Sequence, residues 1–412
     1  MHGSTAERKT LLVISGGVEA AEAARHAKDL GLYVVVSDRD PAAAGFADAD
    51  SILIADADSG DETSAAAERF SRKIRRVDGA ISLAANAPMT LASVTKRLGV
   101  AGPSQQSAEL ACDKLAAKKA MRAAGIPVPW FALAETPQAL ARIIIESGRD
   151  LVIKPVDCRE GRGVQRLATV ADMDRAFALA RSHSPTGRVM VERRLEGPQI
   201  TAQSLVSGGH CATPMVFDRN FEHLERTAPF FVGNGGEMPS ALPPELQSEV
   251  RDVVTKTAEA LGIAGGPFKT DVVVVDGKPH VIDAAAAFSP LCVRGIPLAM
   301  GVDFMGAAIR MAVGDAVSPD ELVPQIAAHV VQRCLFSAPG RIVSIAGADE
   351  ARAMAGVFEI VMCAKAGDMI PRAHDKRPPV ATVLATGTSR ESALAAANEA
   401  LARIRIVTEP SA

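Results

Sequence analysis

The sequence lacks the features of several large protein classes. Its six cysteines are scattered and form no CxxC pair, so a zinc-ribbon or thioredoxin-type site has no support. No apolar run is long enough to span a bilayer, and the charged N-terminus has no signal-peptide core. The net charge of -3 argues against a general binder of nucleic acid or anionic membranes. We therefore expect a cytoplasmic protein in a reducing compartment, with neither nucleic acid nor membrane as a partner.

Several motifs of catalysis are also missing. The eight histidines form no HExxH pair, no G-x-S-x-G elbow occurs, and the Walker pattern G-x-x-x-x-G-K-[ST] is absent. No cysteine has a local signature of a nucleophile. These absences argue against a zinc site, elbow-type serine catalysis and a Walker-type phosphate loop.

The length of 412 residues and the 48% hydrophobic content suit two or three domains with substantial cores. The first hundred residues alternate strands with helices, which predicts a small α/β domain with parallel strands over 10–15, 33–38, 51–56 and 79–84. Gly16-Gly17 after the first strand and Asp38 after the second are compatible with a nicotinamide dinucleotide site. Because the pattern is not G-x-G-x-x-G, we favour a structural turn that lines a substrate cleft.

Further elements follow from periodicity and turn chemistry. A basic helix begins near Lys114 and is expected to expose its other lysines and arginines to solvent. The pair Asp276-Gly277 between two apolar runs predicts a hairpin. The last helix is expected to open with a capping box formed by Thr388 and Glu391. The same patterns predict strands over 151–157 and 188–195, a helix over 242–263 and hairpin arms within 268–284.

The stretch IKPVDCREGRGV places a lysine on a strand ahead of a glycine-rich basic loop. Gly161 and Gly163 would allow backbone N–H groups to approach phosphate oxygens, and Arg159 and Arg162 would neutralise them. A basic surface turn explains the stretch equally well when it stands alone.

Two carboxylates lie twelve residues apart on the arms of the predicted hairpin. Asp271 and Asp283 would face each other, and two facing carboxylates can hold Mg²⁺ against a triphosphate. The order in which these features follow Lys114 and Lys154 is specific, although each feature alone is weak.

At these residues the sequence resembles the ATP-grasp superfamily, and most closely the carboxylate–amine ligases related to biotin carboxylase and the L-amino acid ligases. The resemblance covers nearly the whole chain and is carried by DKLAAKKAMRAAGIPVP, IKPVDCREGRGV, VERRLEGPQI and GGPFKTDVVVVDGKPHVID. It implies an α/β and α+β fold in three parts. These are a Rossmann-like domain (1–108), an ATP-grasp core (109–305, with subdomains of about 109–190 and 191–305) and a C-terminal α+β domain (306–412).

The resemblance also implies a ligand for each motif. Lys114, Lys154 and a mobile loop over 157–164 would contact ATP phosphates, the backbone of Glu192 and Leu195 would pair with adenine, and Gln199 would bond the ribose. Asp271 and Asp283 would hold Mg²⁺ or Mn²⁺. The implied nucleotide site comprises Lys114, Lys154, Arg159, Gly161, Arg162, Gly163, Val164, Glu192, Leu195 and Gln199.

The implied activity is ATP- and Mg²⁺-dependent ligation. ATP would convert a carboxylate to an acyl phosphate, and an amine would then displace phosphate to give an amide and ADP. The implied partners are small-molecule carboxylate and amine substrates, and a homodimer is compatible with the family.

The sequence departs from the family at one motif. Where the family has Glu-x-Asn-x-Arg or Glu-x-Ala-x-Arg, this chain has Asp283, Ala285 and Ala287. Loss of a charge-stabilising donor typically lowers a rate by about 100- to 1,000-fold. Arg294 or Arg219 could replace the arginine.

Glu237 has two explanations of equal weight, recognition of the substrate amine and a solvated loop acid. For the chain as a whole, three hypotheses compete: a ligase with relocated charges, a non-catalytic nucleotide-binding protein or partner subunit, and a misaligned alanine-rich turn. The twelve-residue spacing argues against the last hypothesis, and the otherwise intact nucleotide site favours the first.

Overall fold

The computed structural model describes residues 8–83, 87–148, 150–159, 161–167, 172–289, 291–371 and 379–410. Ala84, at the end of the fourth predicted strand, and Glu160, in the predicted phosphate loop, lie outside these ranges. Among the helices of the described residues, none is long and apolar enough to cross a membrane. All six cysteines are described, and each is a free thiol.

The N-terminal sheet is parallel, as the alternation of strands and helices predicts. Its strands are β1 (Thr10–Ile14), β2 (Tyr33–Asp38), β3 (Ser51–Ile54) and β4 (Gly79–Ser82). Its helices are α1 (Val18–Asp29), α2 (Gly60–Lys73), α3 (Pro88–Leu98) and α4 (Gln105–Cys112), with a 3-10 turn at Ala44–Asp48. The strand order is β3-β2-β1-β4. All five residues of β1 are buried, because helices cover both faces of this small sheet.

The second sheet is antiparallel and has four strands. Its elements are α5 (Lys114–Ala123), β5 (Phe131–Ala134), α6 (Pro137–Ser147), β6 (Leu151–Pro155), β7 (Gln165–Leu167), α7 (Met173–His183) and β8 (Val189–Arg193). The strand order is β5-β8-β6-β7, so β6 and β8 are the inner strands. The basic loop follows β6, and the predicted adenine contacts lie at the end of β8. Both features are therefore carried by neighbouring central strands.

The third group of elements begins with a long hairpin. Its members are β9 (Gln199–Ser207), β10 (His210–Arg219), α8 (Leu224–Thr227), β11 (Gly236–Met238), α9 (Pro244–Ala260), β12 (Gly265–Val275), β13 (Lys278–Ala285), α10 (Cys292–Met300) and α11 (Phe304–Ala312). Asp276 and Gly277 join β12 to β13 with φ angles of 49° and 74°. Two positive φ angles are what a type I′ hairpin turn requires, so the predicted hairpin is present.

The C-terminal elements complete an eight-stranded sheet and form a three-stranded sheet of their own. They are a 3-10 turn (Pro319–Leu322), β14 (His329–Leu335), β15 (Gly340–Ala346), α12 (Ala348–Arg352), β16 (Val357–Met362), β17 (Met369–Ile370), β18 (Ala381–Gly387), α13 (Arg390–Arg403) and β19 (Arg405–Glu409). The strand order of the three-stranded sheet is β17-β15-β19. The capping box of α13 lies one residue later than predicted, because Ser389 rather than Thr388 is the N-cap and pairs with Ser392.

The largest sheet has eight strands in the order β13-β12-β9-β10-β11-β14-β18-β16. It continues from the core into the C-terminal region through the antiparallel pair β11–β14. The parallel and antiparallel sheets with their helices agree with the predicted α/β and α+β fold class. The division into three parts with a boundary at residue 305 stays a prediction, and the eight-stranded sheet has strands on both sides of that residue.

The two faces of β12 have different environments. Phe268, Val272 and Val274 pack in a core cluster with residues of α5 and α9. Lys269 and Asp271, which alternate with them, face a cavity on the opposite side. The alternation along β12 therefore directs polar side chains to the cavity, while the apolar side chains of the opposite face pack in the core.

Candidate functional site

A cavity of about 380 Å³ lies between the antiparallel four-stranded sheet, β5-β8-β6-β7, and the eight-stranded sheet. Its volume falls within the range of small-molecule sites, about 300–1,000 Å³. Ten of the residues predicted from sequence line it: Lys114, Lys154, Gly161, Val164, Glu192, Leu195, Gln199, Arg219, Asp271 and Asp283. Motifs spread over 170 positions of the chain are thus brought to one place.

Arg159, Arg162 and Gly163 of the predicted phosphate loop are not part of the cavity lining, although they adjoin Gly161 and Val164 in sequence. Arg159 donates to the Sγ atom of Cys112 at 2.6 Å. The Nε atom of Arg162 is buried and has no hydrogen-bond partner among the described residues. Gly163 has a φ angle of 72°, and a Cβ atom there would lie 2.9 Å from Pro155. A glycine is therefore required at 163 for both conformation and space.

Arg294, a candidate for the missing charge, is on α10 and is outside the cavity lining. Its Nε atom is 3.0 Å from Glu22, and its guanidinium also pairs with Glu359. Both partners neutralise it, and they lie on α1 and β16. Its catalytic role stays a prediction, and its position gives that role no support.

Glu237 is on β11 and is also absent from the cavity lining. It pairs with the buried Arg333 and with Arg390, whose Nη1 atom is 2.5 Å away. Arg390 also bonds Asp218 at 2.6 Å. This network joins the core to the start of α13. A role of Glu237 in substrate recognition therefore stays a prediction. A substrate amine would have to compete with two guanidinium groups for its carboxylate.

Lys114 is the first residue of α5, and its neighbours fix that helix end. The side chain of Asp113 caps the helix by accepting from the amide of Ala116 at 2.7 Å. Arg188 holds the same carboxylate at 2.6 Å. The Lys114 ammonium donates to the carbonyl oxygen of Cys158, at the start of the glycine-rich loop. The helix start and the loop are thereby joined at the cavity wall.

Lys118, Lys154 and Glu192 form what we call the buried cluster. Lys118 lies 2.9 Å from one oxygen of Glu192, and Lys154 pairs with the other. Burial lowers the pKa of the Lys118 ammonium. Burial alone would raise the pKa of Glu192, but the two ammonium groups hold it below its usual value. Glu192 is thus held between two ammonium groups inside the protein.

The position of Lys118 corrects a prediction from sequence. The basic helix was expected to expose every cation except Lys114, but Lys118 is almost fully buried against Glu192. The available signal was spacing, because residues four apart on a helix share one face. Lys118 therefore lies on the same face of α5 as Lys114, one turn further along the helix.

Arg219, Lys269 and Asp271 form a second group, the Asp271 cluster. Lys269 lies 2.7 Å and Arg219 3.3 Å from the Oδ2 atom of Asp271, and Thr201 donates to Oδ1 at 2.6 Å. Burial would raise the pKa of Asp271, but the two cations hold it well below its usual range. Lys269 was not singled out from sequence, although its spacing of two from Asp271 on a strand places both on one face.

Asp283 lies directly across the strand pair from Asp271, because a β-bulge between Asp271 and Val272 shifts the register of the hairpin by one residue. Both carboxylates line the cavity. No group of three or more His, Cys, Asp or Glu side chains suited to a metal occurs among the described residues. Two carboxylates nevertheless fit Mg²⁺, which proteins often bind through one or two carboxylates together with substrate phosphates and water.

The rest of the cavity wall is largely apolar. Phe221, Phe231 and Phe336 contribute aromatic rings, and the guanidinium of Arg219 lies 4.8 Å from the ring centre of Phe221. Val273 lies beside Gln199 across the strand pair. The combination of an apolar wall with converging charges suits a ligand that has a flat apolar part and an anionic part.

The glycine turn of the N-terminal domain is held by its own acid. Asp38 accepts from the amide of Gly16 at 2.6 Å. A Cβ atom at position 16 would lie 2.7 Å from that of Ala43. The preference for a structural turn over a nicotinamide site is consistent with this engagement of Asp38.

Comparison with protein families gives two matches. Residues 111–286 match the ATP-grasp domain, and residues 333–409 match the L-amino acid ligase C-terminal domain 2. The first range contains all the residues that line the cavity except Cys334, Phe336 and Pro379.

Individual proteins give the same relationship. The uncharacterized protein y4rH of Sinorhizobium fredii is 26% identical over 400 residues, which cover 94% of this chain and 80% of that protein. A phosphoribosylamine–glycine ligase of Xanthomonas axonopodis is 26% identical over 338 residues, covering 74% and 78%. The crystal structure of an L-amino acid ligase from Bacillus licheniformis superposes with a TM-score of 0.82 at 19% identity, covering 98% and 99%. The last comparison shows that the folds agree.

Proposed function

Because the chain belongs to the ATP-grasp superfamily, we propose that it is an ATP- and Mg²⁺-dependent ligase that joins a carboxylate to an amine. The relatives with named activities include ligases that use amino acids, which favours small carboxylate and amine substrates. The single observation that carries the proposal is the convergence of the predicted nucleotide residues and both carboxylates on one cavity.

ATP would lie along the cavity with its adenosine at the end of β8. The backbone of Glu192 and Leu195 would bond adenine, and the Gln199 amide would bond the ribose hydroxyls. Lys114 and Lys154 would neutralise phosphate oxygens. Arg159 and the backbone of residues 161–164 would close over the phosphates, and the buried Nε atom of Arg162, which has no partner among the described residues, supports an anion in this region.

Asp271 and Asp283 would hold Mg²⁺ or Mn²⁺ between them and the phosphates. The metal would neutralise charge on the transferred phosphoryl group. Asp283 is the better ligand of the two, because Asp271 already accepts from Thr201, Lys269 and Arg219. Lys269 and Arg219 would also bring positive charge close to any metal at Asp271.

The reaction would have two steps. A substrate carboxylate oxygen attacks the γ-phosphorus of ATP, the bond to the β-phosphate oxygen breaks, and ADP leaves with that electron pair. The substrate amine then attacks the acyl carbon of the acyl phosphate, the C–O bond breaks, inorganic phosphate leaves, and the amine nitrogen loses a proton. The chain's own residues hold the reactants and neutralise developing charge, and Arg219 is the predicted catalytic residue that lies in the cavity.

Nucleotide binding is tested by thermal unfolding with and without Mg-ATP, using Lys114→Met. We expect Mg-ATP to raise the melting temperature of the native chain and to raise that of Lys114→Met much less. Lys119→Met, an exposed position on the same helix, is the matched control and should keep the full shift. Equal protection of all three chains would exclude Lys114 from the nucleotide site, and protection by NAD(P) instead of ATP would contradict the proposal.

A second candidate function is a nucleotide-binding protein or partner subunit without turnover. The observation that favours it is the buried methyl group of Ala287, where the family has an arginine. ADP release from Mg-ATP with pooled amino and carboxylic acids separates the two functions. Substrate-dependent release supports the ligase, and ATP protection without release supports the non-catalytic protein.

A further inference from the structure

Position 287 is packed as an apolar backbone segment. Ala287 is 6% exposed, and its carbonyl oxygen accepts from the side chain of Gln203 at 3.2 Å. The same fully buried glutamine accepts from the amide of Ser289 at 2.7 Å. Gln203 therefore fixes the chain where a catalytic arginine would be expected, and no cation starts from this position.

A cation reaches the same region from the neighbouring strand. Lys269 lies directly across from Ala285 in the ladder between β12 and β13. Its ammonium lines the cavity, 2.7 Å from Asp271. Arg219 approaches the same carboxylate oxygen from β10. Two cations share one carboxylate, so the cluster has one positive charge in excess, which equals the charge of the missing arginine.

The position of Lys269 along its strand is also suitable. Val273 lies across from Gln199, Asp271 across from Thr201, and Lys269 across from Gln203. A strand advances about 3.4 Å per residue, so the backbone of Lys269 lies roughly 14 Å beyond that of Val273. If Gln199 marks the position of the ribose, Lys269 lies toward the other end of the cavity, where the terminal phosphate of ATP would meet the carboxylate of the substrate.

We propose that Lys269, together with Arg219, supplies the positive charge at the reacting phosphoryl and acyl groups that Ala287 cannot supply. Asp271 is a positioning residue for both cations, because its buried carboxylate contacts each of them. This inference rests on the proposed ligase function and assigns the charge to Lys269 rather than to Arg294, which is neutralised by Glu22 and Glu359.

The test compares ADP with β,γ-methylene-ATP as ligands, by isothermal titration in magnesium chloride. Lys269→Met keeps most of the length of the side chain and removes its charge. We expect it to weaken β,γ-methylene-ATP about tenfold, the effect of one charge-assisted hydrogen bond, and to change ADP affinity less than twofold. Substrate-dependent ADP release should fall about 100- to 1,000-fold.

Two further variants complete the design. Lys278→Met, on the exposed end of the same hairpin, is the matched control and should leave both affinities and ADP release unchanged. Lys269→Arg should restore most of the preference for the triphosphate. Lys269→Gln, which retains a donor for Asp271, replaces Lys269→Met if the latter does not fold.

The outcomes distinguish this inference from the function on which it rests. Failure of the native chain to bind either nucleotide overturns the proposed function and this inference with it. Binding and turnover by the native chain, with an unchanged preference and an unchanged rate in Lys269→Met, overturns only the role of Lys269. Selective loss of triphosphate affinity together with the fall in rate supports it.

Discussion

Two groups in this molecule have the same composition, two cations on one carboxylate, in different surroundings. In the buried cluster, the side chains of Lys118 and Lys154 are 2% and 7% exposed. In the Asp271 cluster, the side chains of Lys269 and Arg219 are 25% and 31% exposed. The buried cluster is therefore largely shielded from solvent, although Lys154 and Glu192 reach the cavity wall, whereas the cations of the Asp271 cluster are open to the cavity.

The difference separates holding a site together from acting on a ligand. Charges that are removed from water must find their partners inside the protein, so Glu192 is committed to its two lysines. Cations at a cavity surface keep donors that can turn to an incoming anion. Lys269 and Arg219 are in that second situation, and Lys118 is in the first.

The largest effect is expected when the buried cluster loses its carboxylate. Glu192→Gln leaves two buried ammonium groups without a counter-charge, which should lower the free energy of unfolding by about 3–5 kcal/mol. Glu196→Gln is the control, because that side chain is 76% exposed, and it should change stability by less than about 0.5 kcal/mol. The measurement is urea unfolding at pH 7. Similar stabilities of the two variants would show that the buried cluster is not structural.

A charge added next to the Asp271 cluster tests how fully position 287 is packed. Ala287→Arg places a long cation at a buried methyl group, and overpacking typically costs about 1–3 kcal/mol. Ala285→Asn, at a partly exposed position nearby, should cost less. Thermal unfolding compares the two. If Ala287→Arg is as stable as the native chain, the segment has room for the family's arginine after all.

The third prediction concerns acid. The pKa of Asp271 is lowered in the folded state, so its contribution to stability is present above the unfolded value of about 3.9 and is lost as the pH falls toward the folded pKa. Asp271→Asn should therefore cost about 1–2 kcal/mol at pH 7, less than Glu192→Gln, because its cations reach solvent. It should also flatten the loss of stability between pH 5 and pH 2. An unchanged acid slope would contradict the lowered pKa.

A still more exposed pair gives the smallest expected effect. The hydrogen bond from His26 to Asp303, which connects α1 to the start of α11, raises the pKa of His26. Its stabilising contribution is therefore present below the unfolded value of about 6.5 and is lost as the pH rises through the folded pKa. The melting temperatures of the native chain and His26→Gln should differ slightly at pH 6 and agree at pH 9. A difference that grows with pH would show that the pair is not the cause.

The sequence predicted the parts of the site whose geometry is local. The two-residue turn alone would pair Asp271 with Ile282, so the turn predicts the neighbourhood of the two carboxylates. Their direct opposition also needs the β-bulge between Asp271 and Val272, which shifts the register by one residue and which the sequence does not indicate. Lys114 was predicted from its place at a helix start. Lys118 was not, because its burial depends on β8 lying under the same helix, and β8 is 70 residues away in sequence.

Long-range pairing also limits what could be predicted about the domains. The parallel N-terminal sheet and the hairpin follow from neighbouring segments, and both agree with prediction. The pairing of β11 with β14 joins segments about ninety residues apart, and no local sequence pattern predicts it. A predicted boundary at residue 305 is therefore natural from sequence, even though the sheet continues past it.

That continuous sheet has a consequence for any attempt to study the core as a fragment. A chain that ended before His329 would lose β14, β16 and β18 and leave the three-residue β11 as a bare edge. Unpaired N–H and C=O groups on such an edge recruit strands from other molecules, which leads to aggregation. The C-terminal region thus acts as a cover for the sheet of the ATP-grasp core, and its removal should be judged first by solubility.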